Sequence, residues 1–160
     1  MDHSEWDAVV EVGWSLKNEC HKMLDYFSDL VNKFSDNARA HFEYANVLDY
    51  CDCESQAIPY YHHALDSGLE WPLNLFALIQ LGSSLRNVGQ YTDALSVLKQ
   101  AYELKPDYSP TAIFYSLALF SAGKPKDALQ QALHFILEQT PGQDRQRYIE
   151  PLQRYIADLD

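Results

Sequence analysis

Two cysteines and two histidines are close enough in the sequence to be considered as ligands of a metal ion. Cys51 and Cys53 are separated by one residue, and the adjacent His62 and His63 follow them. A tetrahedral zinc site needs about four converging ligands, normally with two or more residues between paired cysteines. Neighbouring helical residues point ~100° apart, so His62 and His63 cannot easily bind one ion. The spacing favours a helix end at the cysteines and surface histidines, and a metal- or thiol-dependent enzyme using Cys51, Cys53 and His62 is the weaker alternative.

Other catalytic patterns are incomplete. The sequence contains no glycine-rich phosphate loop, no H-E-x-x-H and no G-x-S-x-G. His41-Phe42-Glu43 matches the H-x-E of zinc deaminases, but no P-C-x-x-C follows it, so His41 is interpreted as a packing residue. The adjacent Cys20 and His21 would face different sides of a helix. We therefore expect no catalytic residue, no metal and no cofactor, and a protein that is not an enzyme.

The charge and composition narrow the classes of partner. The 160 residues include 23 acidic and 12 basic side chains, a net charge of −11 that repels nucleic acid. The basic residues form no stripe that would bind an anionic membrane, and no apolar run approaches the ~20 residues that span a bilayer. The N-terminus lacks the basic start of a secretory signal. The three cysteines are an odd number, and their spacing matches no disulfide framework, which suggests reduced thiols. We therefore expect a cytoplasmic protein, and its length fits a single domain.

An internal repeat sets the elements that would position a binding site. The best-defined unit runs from Leu78 through Gly82 to Pro106. Ala94 and Ala128 are 34 residues apart, and Ala57 and Ala94 are 37 apart. A period near 34 residues is typical of units made of two antiparallel helices. Small residues in each unit would let the paired helices approach closely; they include Ala45, Gly82 and Ser116 on the first helices and Ala57, Ala94 and Ala128 on the second.

Proline, glycine and apolar spacing predict the bounds of the helices. The three pairs are Asn37–Tyr50 with Glu54–Ser67, Leu73–Asn87 with Tyr91–Leu104, and Pro110–Ala122 with Pro125–Glu138. They divide the chain into units at 37–72, 73–108 and 109–142. Residues 1–36 are predicted to form a long N-terminal helix region or degenerate repeat, amphipathic from Ser4 to Phe34. Residues 143–160 are predicted to form a capping helix, with a kink or a restart near Glu150 because Pro151 interrupts the stretch.

These stretches resemble the tetratricopeptide repeat (TPR) superfamily over roughly residues 37–141. The segment FALIQLGSSLRNVGQY, residues 76–91, is similar to a bacterial group usually called tetratricopeptide repeat group 5. The resemblance implies an all-α, right-handed α-α superhelix that serves as a protein–protein interaction module without catalysis. It also implies a protein or peptide partner, with self-association as a homodimer as a further option.

The resemblance also implies a concave groove along one side of the first helices. Its residues here would be Arg39, Phe42, Asn46, Asp49, Phe76, Gln80, Ser83, Arg86, Asn87, Phe114, Leu117 and Phe120. Asn46 matches an asparagine that in some members binds a peptide backbone or terminal carboxylate. Phe42, Pro110 and Phe114 stand where a carboxylate clamp requires Lys or Arg, so binding of chaperone C-terminal tails is disfavoured. Arg86→Ala or Asn46→Ala is expected to weaken partner binding with little loss of stability.

The groove side of the third unit is notably apolar. It carries Ile113, Phe114, Leu117 and Phe120. We expect a terminal helix to fold across these side chains, because the capping helix needs an apolar surface to pack on. In the alternative, they stay exposed as a surface for a partner or for a second copy in a dimer.

Overall fold

The computed structural model describes residues 3–159 apart from the side chain of Asp144, and its regular structure there is entirely α-helical. Nine helices follow one another: α1 His3–Trp14, α2 Cys20–Lys33, α3 Ala38–Tyr50, α4 Glu54–Asp66, α5 Leu73–Asn87, α6 Tyr91–Leu104, α7 Ser109–Ser121, α8 Pro125–Gln139 and α9 Gly142–Ala157. The pairs α3–α4, α5–α6 and α7–α8 pack as consecutive helical hairpins. None of the helices in residues 3–159 has the length and apolar character needed to cross a bilayer.

Small residues allow the hairpins to nest. A Cβ added to Gly82 on α5 would overlap Leu98 on α6, lying 2.8 Å from its Cδ2 and 2.9 Å from its Cδ1. Ala57 on α4 and Ala94 on α6 are completely buried in the same core. The connections after α4, α5 and α7 turn through glycines with positive φ, which L side chains rarely adopt. The close helix contacts predicted from the repeat are therefore present.

The predicted helix bounds are confirmed closely in the repeat region. α5 and α6 begin and end at the predicted residues, and α3, α4, α7 and α8 differ by one residue at one or both ends. The Asn37 side chain caps α3 by accepting a hydrogen bond from the Ala40 amide, at 3.1 Å. Pro125 begins α8, where a missing N–H costs nothing.

The N-terminal amphipathic stretch is two helices instead of one. α1 ends at Trp14 and α2 begins at Cys20, with turns between them. Gly13 lies against Phe27, where a Cβ would overlap the ring, so the two helices meet closely. Trp6 is buried and packs edge-on against Phe34, with ring centroids 5.6 Å apart.

The expectation of three reduced thiols is wrong. Cys20, at the start of α2, is disulfide-bonded to Cys51, just after α3, with a Cα–Cα distance of 6.0 Å. Cys53 remains a free, half-buried thiol. Because α2 and α3 pack against each other, cysteines 31 residues apart in sequence become neighbours. The bond removes the argument for a reducing compartment that free thiols had supplied.

The C-terminal helix caps only part of the last hairpin. α9 packs on α8, with Ile156 and Leu137 both buried and Gln130 Nε2 donating to the Ile156 carbonyl at 2.9 Å. It is one continuous helix through Pro151, so the restart that was one of the two expected outcomes there does not occur. It leaves α7 uncovered, since Ile113 is 56% exposed and Phe120 65% exposed. The expected burial of this apolar side is therefore wrong.

Candidate protein-binding groove

A cleft of about 610 Å³ lies on the side of the first helices that the repeat predicted to be concave. The helices α3, α5 and α7 supply most of its wall, and α1 contributes Trp14. Its lining consists of Trp14, Phe42, Glu43, Asn46, Asp49, Tyr50, Phe76, Ile79, Gln80, Tyr108, Pro110 and Phe114. We refer to this cleft as the aromatic groove, because half of these residues are Trp, Tyr or Phe.

Only some of the twelve predicted groove residues come together there. Those that line the aromatic groove are Phe42, Asn46, Asp49, Phe76, Gln80 and Phe114. Leu117 and Phe120 line a different cleft, between α7 and α8. Arg39, Ser83, Arg86 and Asn87 line neither cleft. The residues of α7 are divided between the two clefts: Pro110 and Phe114 line the aromatic groove, whereas Leu117 and Phe120 line the other cleft.

Glu43 is the most buried charged group of the groove, with 4% of its surface exposed. Its carboxylate accepts a hydrogen bond from Arg39 Nε at 2.5 Å, and the Asn46 and Trp14 side chains also donate to it. Burial raises the pKa of Glu43 above its usual value, and Arg39 opposes that rise. Arg39 Nη2 also forms an ion pair with Asp7 Oδ1 at 3.2 Å. Arg39 therefore links α3 to α1 instead of facing a ligand.

Asn46 is held by its neighbours inside the protein. Its Oδ1 accepts a hydrogen bond from the Tyr61 hydroxyl at 3.0 Å, while its amide donates to Glu43. Tyr61 is completely buried, so removing Asn46 would leave a buried hydroxyl unsatisfied, at a cost of ~1–3 kcal/mol. The geometry gives Asn46→Ala a stability cost that the sequence interpretation did not include.

Asp49 lies on the groove in a different electrostatic setting. Its carboxylate accepts a hydrogen bond from Ser84 Oγ at 2.8 Å. Burial raises the pKa of Asp49, and the nearby carboxylates Glu54 and Asp52 raise it further. Within residues 3–159, no cationic side chain is within ion-pair distance of Asp49.

Arg86 and Asn87 lie at the end of α5 and contact each other instead of the groove. Arg86 Nη2 donates to Asn87 Oδ1 at 3.4 Å, and Asn87 Nδ2 donates to Glu54 Oε1 at 3.3 Å. These contacts join the end of α5 to the start of α4. The predicted role of Arg86 as a groove anchor has no geometric support here.

Six residues that line the groove lie outside the predicted set of twelve: Trp14, Glu43, Tyr50, Ile79, Tyr108 and Pro110. Trp14 meets Tyr50 edge-on, with centroids 5.4 Å apart, and Phe27 at 6.5 Å. Repeat spacing carries no information about Trp14, because α1 precedes the repeats. Tyr108 lies in the connection to α7, where side-chain direction depends on the turn and not on helical period.

The second cleft has a volume of about 550 Å³ and is lined almost entirely by apolar residues of α7 and α8. We call it the C-terminal cleft; its lining is Ala112, Ile113, Ser116, Leu117, Phe120, Pro125, Ala128, Leu129, Ala132, Phe135 and Ile136. The equivalent position on the preceding hairpin, α5–α6, is occupied by α7. The C-terminal cleft is thus where the first helix of a further repeat would pack.

The cysteines and histidines considered as metal ligands have other contacts. Cys51 is disulfide-bonded to Cys20. The ring centroids of His63 and His41 are 3.8 Å apart. His41 is buried, and its Nε2 donates to the Ser35 carbonyl at 2.6 Å, which agrees with a packing role. Among the side chains that the structure describes, no three His, Cys, Asp or Glu residues are grouped to hold a metal ion.

Comparison with known proteins decides the family. Residues 38–157 match the family model described as Tetratrico peptide repeat. The chain belongs to the tetratricopeptide repeat family. This family consists of protein-binding modules that are generally not catalytic. No curated protein matches the sequence at a significant level.

Solved TPR structures share the fold. One is YrrB, described as a TPR protein with an unusual peptide-binding site. Its TM-score is 0.69 at 24% sequence identity, and the alignment covers 94% of this chain and 79% of the YrrB chain. MamA MSR-1 has a TM-score of 0.70 at 15% identity, covering 88% and 83%. MamA from Desulfovibrio magneticus RS-1 has a TM-score of 0.65 at 14% identity, covering 94% and 90%. At these identities the likeness shows the TPR superhelix and nothing of the partners.

Proposed function

We propose that this TPR protein is a non-catalytic interaction module that binds an extended segment of a partner protein in the aromatic groove. The observation that carries the proposal is the groove itself, an open cleft of about 610 Å³ walled by six aromatic side chains. Rigid aromatic side chains dominate binding energy at protein interfaces because they bury a large area with few rotatable bonds.

The groove also offers polar groups that a peptide backbone requires. The side-chain amide of Gln80 lines the cleft and makes no hydrogen bond to another side chain or backbone group between residues 3 and 159. Gln80 can therefore both donate to and accept from a peptide backbone, which would fix the position of the bound segment. Asn46 also lines the groove, but it is engaged with Tyr61 and Glu43 and therefore supports the wall.

Peptides selected from a random displayed library should bind wild-type protein and lose affinity when the groove is altered. Phe76 is 37% exposed on the groove, so Phe76→Ala removes contact area there and weakens binding about tenfold. The matched control is Phe120→Ala, which truncates the same side-chain type in the C-terminal cleft and should leave affinity unchanged. Fluorescence polarisation of labelled peptides measures both. If the two variants bind equally well, the peptide does not occupy the aromatic groove.

A specific observation supports self-association as a second function. The C-terminal cleft is open, and α9 carries an exposed apolar stripe of Tyr148, Leu152 and Tyr155. Arg145, Arg147 and Arg154 make α9 rich in basic residues on a chain with a net charge of −11, which favours its contact with a second copy. We propose a two-fold dimer in which α9 of each copy packs in the C-terminal cleft of the other.

The variant Phe120→Asp should convert the dimer to a monomer. A charge in the middle of an apolar interface is desolvated without a partner, which weakens association by several orders of magnitude. Light scattering over a wide concentration range measures the mass of wild type and variant. The control, Tyr91→Asp, places the same charge on an exposed site of α6 outside the cleft and should remain dimeric. A wild-type protein that keeps the monomer mass at every concentration contradicts the proposal.

A further inference from the structure

We propose that the aromatic groove selects partner segments carrying a basic side chain, arginine or lysine, and that the Asp49 carboxylate is its counter-ion. This inference rests on the proposed function of the groove and names the class of segment that it binds. It follows from three features of the described residues: an uncompensated carboxylate, a wall of aromatic rings, and the absence of a competing cation.

The first feature is the position of Asp49. Its side chain lines the cleft, is withdrawn from water enough to raise its pKa, and has one hydroxyl donor, Ser84 Oγ, for its two oxygens. A partly desolvated carboxylate without a cation is costly, and an incoming cation would compensate it. Ser84 is itself buried, and its bond holds the carboxylate at the groove surface.

Glu43, the other carboxylate of the groove, is compensated internally. Arg39, Asn46 and Trp14 all donate to it, and it is almost completely buried. A ligand cation would gain little there because the charge is already paired with Arg39. The two carboxylates have different roles: Glu43 positions Trp14 and Asn46, and Asp49 faces the ligand.

The second feature is the composition of the wall. Phe42, Phe76 and Phe114 come from three successive hairpins, and Trp14 and Tyr50 add two rings that contact each other edge-on. Cations bind over the faces of such rings within ~6 Å of the centroid, and Arg does so more often than Lys. The rings also accommodate the aliphatic part of either side chain.

The third feature is charge. None of the groove-lining residues is Lys or Arg, and the chain carries a net charge of −11. A basic segment would be attracted from a distance and would meet no like charge on the wall, whereas an acidic one would be repelled.

The test uses three capped tripeptides as probes, with glycine on each side of arginine, glutamine or glutamate. Trp14 is the reporter: its indole N–H signal in a ¹H–¹⁵N spectrum is assigned by Trp14→Phe, and the indoles of Trp6 and Trp71, outside the groove, serve as internal controls. We expect a saturable shift of the Trp14 signal with the arginine peptide, and at least about tenfold weaker binding of the glutamine and glutamate peptides.

Asp49→Asn should abolish the preference for arginine over glutamine. Its control is Asp52→Asn, which removes the same charge nearby at an exposed turn with a positive φ that asparagine tolerates. The amide introduced by Asp49→Asn also keeps an oxygen that can accept from Ser84. Burial raises the pKa of Asp49 in the folded state, so the ionised carboxylate destabilises the folded protein above that pKa. The melting temperature of the Asp49→Asn variant at pH 7 should therefore be no lower than that of the wild type.

The outcomes separate this inference from the proposed function. Selected library peptides that lack basic residues, yet depend on Phe76, overturn the basic preference and leave the groove as the binding site. Equal binding of the arginine peptide by wild type and Asp49→Asn also overturns it. Peptides insensitive to both Phe76→Ala and Asp49→Asn overturn the two proposals together.

Discussion

Tyr61→Ala is expected to lower the free energy of unfolding by about 4 kcal/mol, in line with other buried aromatic truncations. Tyr61 is completely buried on α4, packs with the cluster that joins α3 to α6, and has its ring centroid 6.4 Å from that of Phe42. Truncation removes these contacts and leaves a cavity that the alanine-rich helices around it cannot fill. Denaturant unfolding measures the loss directly, and the melting temperature should fall by roughly 10 °C.

Two further variants separate packing from hydrogen bonding at this position. Tyr61→Phe keeps the ring and removes only the hydroxyl bond to Asn46, so it should cost about 1 kcal/mol. Tyr91→Ala truncates a tyrosine that is 45% exposed and should change stability by about 0.5 kcal/mol or less. Equal losses in Tyr61→Ala and Tyr91→Ala would show that Tyr61 is not part of a packed core.

Gly82→Val is the second variant with a large expected effect, a loss of about 3 kcal/mol in the free energy of unfolding. A Cβ at Gly82 already overlaps Leu98, and valine adds two more methyl groups at the crossing of α5 and α6. The higher helix propensity of valine adds less than ~1 kcal/mol of stability. The steric overlap with Leu98 outweighs this gain, so the variant is less stable than the wild type. Thermal and urea unfolding of the variant measure the loss.

A double-mutant cycle with Leu98→Ala tests the cause of that loss. Leu98→Ala alone leaves a cavity beside Gly82 and should cost about 3 kcal/mol. In the double variant the valine occupies part of that cavity, so the combined loss should fall short of the sum by ~1–3 kcal/mol. A strictly additive result would mean that these two residues are not in contact and that the hairpin is packed in another way.

Much of the fold was predictable because the repeat constrains it strongly. Small residues recur at a period of 34, as Gly82 and Ser116 do on the first helices and Ala94 and Ala128 on the second, which is typical of nested helical hairpins. Turn glycines such as Gly89 mark the helix ends. The bounds of α5 and α6 followed directly from these positions. Helical period also placed five residues of α3 and α5 on the side that the aromatic groove occupies: Phe42, Asn46, Asp49, Phe76 and Gln80. It did not separate them from Arg39, Ser83, Arg86 and Asn87 of the same helices, which line neither cleft.

The parts outside the repeat depended on tertiary contacts that a period does not encode. Trp14 reaches the groove because Gly13 lets α1 pack closely on Phe27, a contact visible only in the folded chain. The disulfide between Cys20 and Cys51 depends on the way α2 packs on α3. The path of α9 was also unpredictable: its apolar stripe could cover α7 or α8 equally well, and it packs on α8.

Amide chemical-shift mapping with a library-selected peptide tests most directly whether the concave side of the superhelix is the binding surface. We expect shifts concentrated on the groove-facing residues of α3, α5 and the start of α7, together with the Trp14 indole. Shifts confined to α4, α6 and α8, on the opposite side of the hairpins, would contradict a concave binding surface.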